Sequence, residues 1–448
     1  FNKAWKAKQS GWHDQTRAIF ANAEIGWKSM IYLTATGRND WDSRLAFSDY
    51  KSFFYPSIGL SAILTSMFNA PDWLTYLKVR GSYTEVGNSY GRFMTTVTYP
   101  YDEQTQSWTS TSSYPNTKLK PERTKSWEVG LDARILNDIS LNLTYYRSNT
   151  YNQTFYADLS LSSGYSNIPI QSGNIMNEGL EMSLGYNKQW KDFSFNTNYT
   201  LTWNKNRVKR LADGVYNYAT GQPIQMPELS PLTYGHTDAR LILRVGGSMG
   251  DVYGQRLLKR DLNGYILNEE GVGLAMENKE TYLGSILPKM NMGWSLGFGY
   301  KGVNLGMTFT GRFGGIVISE TQSVLDAAGV SKVSADVRDA GGVQINQSKV
   351  SAQTYYQTIQ GTAAYYTYSA TNVRLGELSL SYTLPKKWFD NKVGMTVGLV
   401  GKNLWMIYCK APFDPELTTS AASNFYQGFD AYMLPSTRNF GFNVKFQF

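Results

Sequence analysis

The sequence is poor in charge, in histidine and in cysteine, and it has no long apolar run. Lys, Arg, Asp and Glu make up 17% of its 448 residues, against the roughly 25% usual for soluble domains. An ordinary charged surface is therefore missing. No run of about 18 apolar residues occurs, which excludes a transmembrane helix. The single cysteine, Cys409, excludes an internal disulfide. Its strand-like surroundings read it as a small buried or lipid-facing thiol. The two histidines, His13 and His236, lie far apart with no neighbouring Cys or patterned carboxylate. No metal-ligand spacing is met, and the sequence implies neither metal nor cofactor. The chain opens at Phe1 with no initiator Met and no signal segment, so it is expected to be a processed product or a piece of a longer polypeptide. Its net charge of +8 is scattered. Only Lys205, Arg207, Lys209 and Arg210 cluster, where a strand is expected to run out into a loop. That is too little for a nucleic-acid partner.

Ser, Thr, Asn, Gly and an aromatic fraction of 15% fill the space left by charge. Such a mixture suits one polar face, one apolar face and an aromatic boundary between them. The dominant pattern is alternation with a period of two. In 193–204, Phe193, Phe195, Tyr199, Leu201 and Trp203 share one face, opposite Ser194, Asn196, Asn198, Thr200, Thr202 and Asn204. In 138–146, Ile139, Leu141, Leu143 and Tyr145 oppose Ser140, Asn142 and Thr144. At the end of the chain Phe440, Phe442, Val444, Phe446 and Phe448 oppose Asn439, Gly441, Asn443, Lys445 and Gln447. No stretch of comparable length has helical periodicity, so the chain reads as nearly all β.

Strand length separates the β architectures. Segments 125–136, 193–204 and 436–448 reach the about 9–11 residues of a tilted membrane strand, beyond the about 5–6 of a soluble one. Trp27, Trp41, Trp73, Trp127, Trp190, Trp203 and Trp388 fall near strand ends, as interfacial girdles require. Connections at 136–138, 187–192, 300–302 and 385–392 are short, whereas those at 88–123, 205–238, 313–371 and 409–435 are long and polar. Short periplasmic turns and long extracellular loops are the pattern of a transmembrane antiparallel β-barrel. About 13–14 strands are expected from the alternating segments. A barrel must close, so this would be part of a larger one. A soluble all-β carbohydrate-binding or propeller protein, the competing architecture, would carry charged outer faces instead.

Enzymatic motifs fail on inspection. Asp261-Leu262-Asn263-Gly264 begins like a calcium loop, but Ile266 stands where Gly is needed and Val272 where the bidentate Glu is needed. Asn263-Gly264 reads better as a hairpin turn. The glycine groups 246–250 and 311–315 lack the Lys-Ser/Thr ending of a phosphate loop. Nothing sets two carboxylates across a cleft, as a glycoside hydrolase needs. The protein is not expected to be an enzyme.

Several phrases are more specific. Gly37-Arg38-Asn39-Asp40-Trp41, Ser52-Phe53-Phe54-Tyr55-Pro56-Ser57, and Leu77-Lys78-Val79-Arg80-Gly81-Ser82-Tyr83 with Val86-Gly87-Asn88 come first. Leu119-Lys120-Pro121-Glu122-Arg123-Thr124, then Gly173-Asn174-Ile175-Met176-Asn177-Glu178-Gly179, then Thr371-Asn372-Val373-Arg374-Leu375 follow in order. Gly401-Lys402-Asn403-Leu404, Ala411-Pro412-Phe413-Asp414-Pro415-Glu416 and Pro435-Ser436-Thr437-Arg438 complete the set. In order and spacing, over nearly the whole chain, they resemble the SusC/RagA family of TonB-dependent transporters.

That resemblance implies a barrel of about 22 strands with a plugged lumen, residues 1–448 forming its C-terminal part. The plug, the TonB-contacting segment and the early strands would lie before Phe1. It further implies a Bacteroidota outer-membrane importer of oligosaccharides or peptides, with a SusD-like surface lipoprotein as lid and TonB as energy source. A passive porin or outer-membrane scaffold is the alternative within the membrane. Terminal Phe448 resembles the assembly signal of outer-membrane barrels. Loop aromatics Trp108, Tyr114, Tyr216, Tyr218, Tyr355, Tyr356, Tyr365, Tyr366 and Tyr368 are the candidates for substrate or lid contact. Girdle or loop-core packing is the competing role for each. Asp414, Glu416, Arg338 and Asp339 are further loop candidates, with salt-bridged packing as their competing role.

Overall fold

The two-residue alternation becomes thirteen long strands in one antiparallel meander, each hydrogen-bonded to its neighbours in sequence order. The structure, a computed structural model, describes residues 11–448 apart from 103–105, 172, 212–221, 223–227, 270–272, 391, 418 and 421–423. The strands are β1 (Thr16–Trp27), β2 (Ile31–Asp42), β3 (Phe53–Ile63), β4 (Leu74–Asn88), β5 (Glu122–Ile135), β6 (Ile139–Tyr151) and β7 (Asn174–Trp190). They continue with β8 (Phe193–Arg210), β9 (Met290–Tyr300), β10 (Val303–Phe313), β11 (Asn372–Leu384), β12 (Gly394–Cys409) and β13 (Asn439–Gln447). Within the described residues β1 and β13 are the open edges of this sheet.

Register fixes what each face carries. Phe195 stands opposite Phe298, then Leu305, Leu380, Leu399 and Phe442 follow across β10–β13. Many side chains of this row are exposed, Leu399 by 64% and Phe442 by 80%. An apolar face left open to the surroundings is a lipid face, not the charged exterior of a soluble sandwich. The opposite face is polar and cross-linked by its own hydroxyls and amides. Ser57 and Thr84 lie 3.0 Å apart, as do Thr124 and Thr150, and Ser183 Oγ donates to Asn198 Oδ1 at 3.0 Å. Lower on this face Arg80 donates to Asp132 at 2.7 Å and to Thr144 at 2.6 Å.

Two aromatic levels mark the membrane boundaries. Exposed Trp27, Trp73, Trp190 and Trp388 lie at the short-turn end, and Trp41, Trp127 and Trp203 toward the loop end. From Phe193 to Trp203 the strand rises about 33 Å, or about 25 Å of height at a 40° tilt. That matches the apolar band of an outer-membrane barrel.

The connections differ from expectation in detail. The turns are 28–30, 64–73, 136–138, 191–192, 301–302 and 385–393, so β7 runs on to Trp190, three residues past the start of the expected 187–192 turn. The expected loop 205–238 begins only after Arg210 and continues to 289. Lys205, Arg207, Lys209 and Arg210 therefore belong to β8, where pairing with β7 holds them in strand geometry, not to a loop. Loop 211–289 folds its own four-stranded antiparallel sheet from Glu228–Thr233, Arg240–Arg244, Asp251–Leu258 and Met276–Ser285. Loop 314–371 holds three short helices not foreseen from periodicity, α1 (Glu320–Ala327), α2 (Lys332–Asp339) and α3 (Ala352–Ile359). Each starts at a serine whose hydroxyl accepts an amide of the first turn, Ser319, Ser331 and Ser351, as N-capping requires.

Candidate functional site

The long loops at one end of the sheet share cores, and this makes the end a built surface. Phe155, Ile168 and Ile170 of the hairpin Thr154–Asp158/Asn167–Gln171 pack on Ile175 of β7, Val208 of β8, and Leu229 and Leu243 of the next loop. A second cluster joins Tyr234, Leu241, Val252 and Ile286 to Ile318 and Phe429, so three loops close over one another. Backbone pairing reinforces it: Ile318 and Ser319 run parallel to Phe429 and Asp430. Tyr234, fully buried, donates its hydroxyl to Phe425 O at 2.7 Å.

Charged clasps pin these loops to the strands. Arg374 at the top of β11 donates Nη1 to Asp414 Oδ2 at 2.9 Å and Nη2 to Asp414 Oδ1 at 2.7 Å. Glu416 lies 3.4 Å from Nη2. Burial pushes the Asp414 carboxyl upward, but hydrogen bonds from Arg374 and Glu416 N, with the Arg374 charge, hold it below the usual carboxylate range. A second clasp fixes the top of β2. Asp40 accepts from Arg38 at 2.7 Å and from Tyr55 Oη at 2.8 Å. Asp42 accepts from Arg44 Nη2 at 2.6 Å and from Ser89 Oγ at 2.8 Å. Leu45, Phe53, Tyr90 and Leu119 close a small core beside it. The residues that carry the family resemblance are, in large part, these anchors.

Between β8 and the loops a cleft of about 500 Å³ opens. β8 pairs with β9 up to Trp203 and Met290. Asn204 N then donates to Lys289 O, and at Val208 the partner is Gly246–Gly247. The cleft sits where the partner changes, lined by Asn206, Ser248, Asp251, Tyr282, Ser285 and Lys289. Asp251 accepts from Ser248 N at 2.8 Å and Tyr282 Oη at 3.1 Å. Burial raises its pKa, and burial with the nearby Asp251 charge pushes the Tyr282 hydroxyl up to about 12. The cleft thus offers paired donors and acceptors with no strong nucleophile.

The expected contact aromatics that lie among the described residues scatter over this end and do not form one patch. Trp108 is exposed and packs on Tyr101, ring centroids 5.1 Å apart. Tyr114 meets Tyr165 edge-on at 5.2 Å and leans on the Phe155 cluster. Tyr355, Tyr356, Tyr365 and Tyr366 gather in one core with Leu258 and Ile359, Tyr356 and Tyr366 buried. Tyr365 Oη accepts from Leu258 N at 3.1 Å. Tyr368 stacks edge-on against Phe413 at 5.7 Å. Tyr216 and Tyr218 lie outside the described residues. Arg338 and Asp339 form an exposed pair at 3.6 Å. His13 and His236 are both exposed. Phe448 follows β13 and is exposed. The Asp261–Gly264 turn is the expected hairpin: Gly264 N donates to Asp261 O, with Gly264 at φ +87°.

The family of TonB dependent receptor-like β-barrels matches residues 4–404. This chain belongs to that family. TonB-dependent receptor P3 of Formosa agariphila is 25% identical over 96% of the chain and 45% of the relative. TonB-dependent receptor SusC of Bacteroides thetaiotaomicron is 25% identical over 48% of the chain and 19% of the relative. The RagAB peptide importer in its open-open state matches with a TM-score of 0.71 at 20% identity, covering 97% of this chain and 46% of that one. The SusC/RagA resemblance read from the motifs is thus matched by relatives and fold alike. The chain spans about half the length of receptor P3 and of the RagAB chain. As a TonB-dependent receptor barrel it resides in the outer membrane, with the clasped loops outside and the short turns in the periplasm.

Proposed function

We propose that residues 1–448 form the C-terminal barrel wall of a TonB-dependent importer of oligosaccharides or peptides. In this reading the rest of the polypeptide supplies the plug, the TonB-contacting segment and the early strands. A SusD-like surface lipoprotein closes the channel outside. The observation that carries it is the contrast between faces: a polar, hydrogen-bonded inner wall beneath a loop end held in a defined shape by Arg374–Asp414 and Asp42–Arg44. A passive pore has no need of a loop end clasped into one surface, whereas a lidded importer requires a fixed seat. Of the proposed contacts Trp108 is exposed, Tyr114, Tyr355, Tyr365 and Tyr368 are half-buried, and Phe448 is the proposed assembly signal. The test is detergent extraction of outer membranes and pull-down through this chain, followed by mass spectrometry and by uptake assays with and without TonB. Recovery of a surface lipoprotein with TonB-dependent uptake supports the reading. Uptake that persists unchanged without TonB replaces it with a passive pore.

A further inference from the structure

We propose that a two-stranded ribbon in loop 89–121 is a capture platform for an uncharged pyranose chain, held on the rings of Tyr99, Tyr101 and Trp108. Tyr101 pairs with Trp108, and Asp102 with Ser107. Thr109 N donates to Pro100 O at 3.0 Å and Thr111 N to Thr98 O at 3.1 Å, so the same ladder runs on to Thr98 and Thr111. Residues directly opposite on such a ladder share a face, and the face alternates along each strand. Tyr99, Tyr101, Trp108 and Ser110 therefore stand on one face, with Thr98, Asp102 and Thr111 on the other. The three rings are exposed, Tyr99 by 61%, Tyr101 by 42% and Trp108 by 69%. Tyr101 and Trp108 lie 5.1 Å apart with their planes tilted by 57°, which leaves part of each ring open.

Lipid, a protein partner and a soluble chain compete for such a face. The root of the ribbon stands away from the bilayer. Ser112 O accepts from Ser166 N at 2.7 Å, and Tyr114 N donates to Asn167 O at 2.8 Å. Asn167 pairs with Asp158 at the far end of the hairpin Thr154–Asp158/Asn167–Gln171, whose near end adjoins the tops of β6 and β7. That hairpin is about 14 Å long, so the ribbon starts one hairpin length above the strand tops. A protein partner needs more surface. Three rings of about 150–250 Å² each, little more than half exposed, give roughly 300–400 Å², against about 800 Å² per side in a stable interface. A patch of that size suits a short stretch of a sugar chain. Aromatic faces carry negative charge density, which attracts the weakly positive C–H face of a pyranose. Tyr Oη, Trp Nε1 and the Ser110 hydroxyl at the ring edges are placed to meet sugar hydroxyls. Tyr99, Tyr101, Trp108 and Ser110 bring no ionised side chain to this face, so it favours no charged chain. Aromatic side chains on a hydrogen-bonded ribbon also lose little freedom on binding. This inference rests on the import reading for its choice of substrates and narrows them to an uncharged glycan.

The test uses the full-length receptor in nanodiscs, titrated calorimetrically with cellohexaose, laminarihexaose, xylohexaose and mannohexaose, and with an end-blocked Gly-Ser hexapeptide. Wild type is expected to bind at least one of the glycans, and more tightly than the peptide. Tyr99→Ala/Tyr101→Ala/Trp108→Ala is expected to lower that affinity about tenfold or more. Trp108→Phe, which keeps a ring, should lower it about threefold or less. Leu262→Ala/Tyr265→Ala, at the exposed tip of another loop, is expected to leave it unchanged. A second arm needs no variant: because the face is uncharged, affinity should hold constant as salt rises from about 0.05 to 0.5 M. Three results overturn the proposal: no glycan bound by wild type, tighter binding of the peptide, or equal glycan affinity in wild type and triple variant. Steep loss of affinity with salt overturns it as well. Equal affinity together with lost capture of a surface lipoprotein by the triple variant reassigns the ribbon to the lid. Uptake with and without TonB is measured in parallel. TonB-dependent uptake that survives any of these results leaves the import reading standing, so the two readings fail separately.

Discussion

Arg374 and Asp414, forty residues apart, meet through two parallel hydrogen bonds, and both side chains are about nine-tenths buried. One belongs to the wall, the other to an extracellular loop. The planar guanidinium matches the carboxylate fork, so this contact fixes direction as well as distance. Asn372 Oδ1 accepts two further hydrogen bonds from the same guanidinium, each at 3.2 Å. Loop 410–438 is thereby oriented from its first residues.

Breaking the clasp from one side leaves a buried charge unpaired. Asp414→Ala is expected to destabilise the local structure by about 3–5 kcal/mol. The cost falls on the loop, because the strand ladder of β11 and β12 is untouched. Limited proteolysis of the folded receptor should then show new cuts within 410–438, while the barrel still migrates as folded on unheated gels. Arg374→Lys should give a milder form of the same pattern, since an ammonium cannot make the paired contact. An unaltered digestion pattern for Asp414→Ala would mean the other loop contacts suffice.

Two loop aspartates should respond to acid in opposite senses. Asp414 titrates below the usual range, so its contribution is full above about pH 4 and is lost only as pH falls through the depressed value. Asp251 is raised by burial, so its contribution is present in acid and lost as pH rises through the raised value. Taking the receptor from about pH 7 down to about pH 4, the ordinary carboxylate value, should slow hydrogen exchange, corrected for intrinsic rate, in peptides around 248–254. Peptides around 410–417 should not change. The reverse assignment would contradict both environments.

The wall was legible in the sequence because lipid on one side and polar space on the other impose a strict alternation. Phe193 to Trp203 could be assigned to faces without a structure. The cap was not legible, and the reason is physical. Residues such as Leu241, Val252 and Ile318 are buried against other loops, not against one continuous face, so their spacing follows no single period. Helices α1–α3 are each eight residues long, too short for periodicity to declare them. Lys205 and Arg207 look like loop residues by composition, yet backbone pairing carries them in β8. Tyr356 and Tyr366 cannot be told from exposed loop tyrosines by residue type, and Arg374 finds Asp414 only through the fold. The motif phrases did mark several anchors, but not what each one holds.

Gly179 tests how tightly the wall is built. A Cβ there would stand 2.6 Å from both Trp203 O and Tyr146 Oη. Tyr146 cannot swing away freely, because Asn204 Nδ2 donates to its hydroxyl at 2.8 Å. Gly179→Ala is expected to destabilise the folded receptor by about 1–3 kcal/mol, read as a lower urea midpoint. Gly59→Ala, where the nearest atom is Ser82 Cβ at 3.9 Å, should leave the midpoint nearly unchanged. Equal losses at the two sites would point to a general glycine effect.

Leu399 gives the sharpest test of which face meets lipid. It lies on β12 between Leu380 and Phe442, about midway up the apolar band. Neighbouring Gly398 is opposite Ser381 and Asn443 and faces the polar side. Leu399→Arg should cost about 2–4 kcal/mol, the penalty for a cation near the bilayer midplane on a barrel exterior. Asn443→Arg, one position away in register, turns the same charge toward the polar interior and should cost far less. Both variants can be folded into vesicles and titrated with denaturant. Because size and charge are the same, the difference between them reports only the surroundings of each face. Comparable penalties would mean that the apolar row is covered by protein and that lipid lies elsewhere.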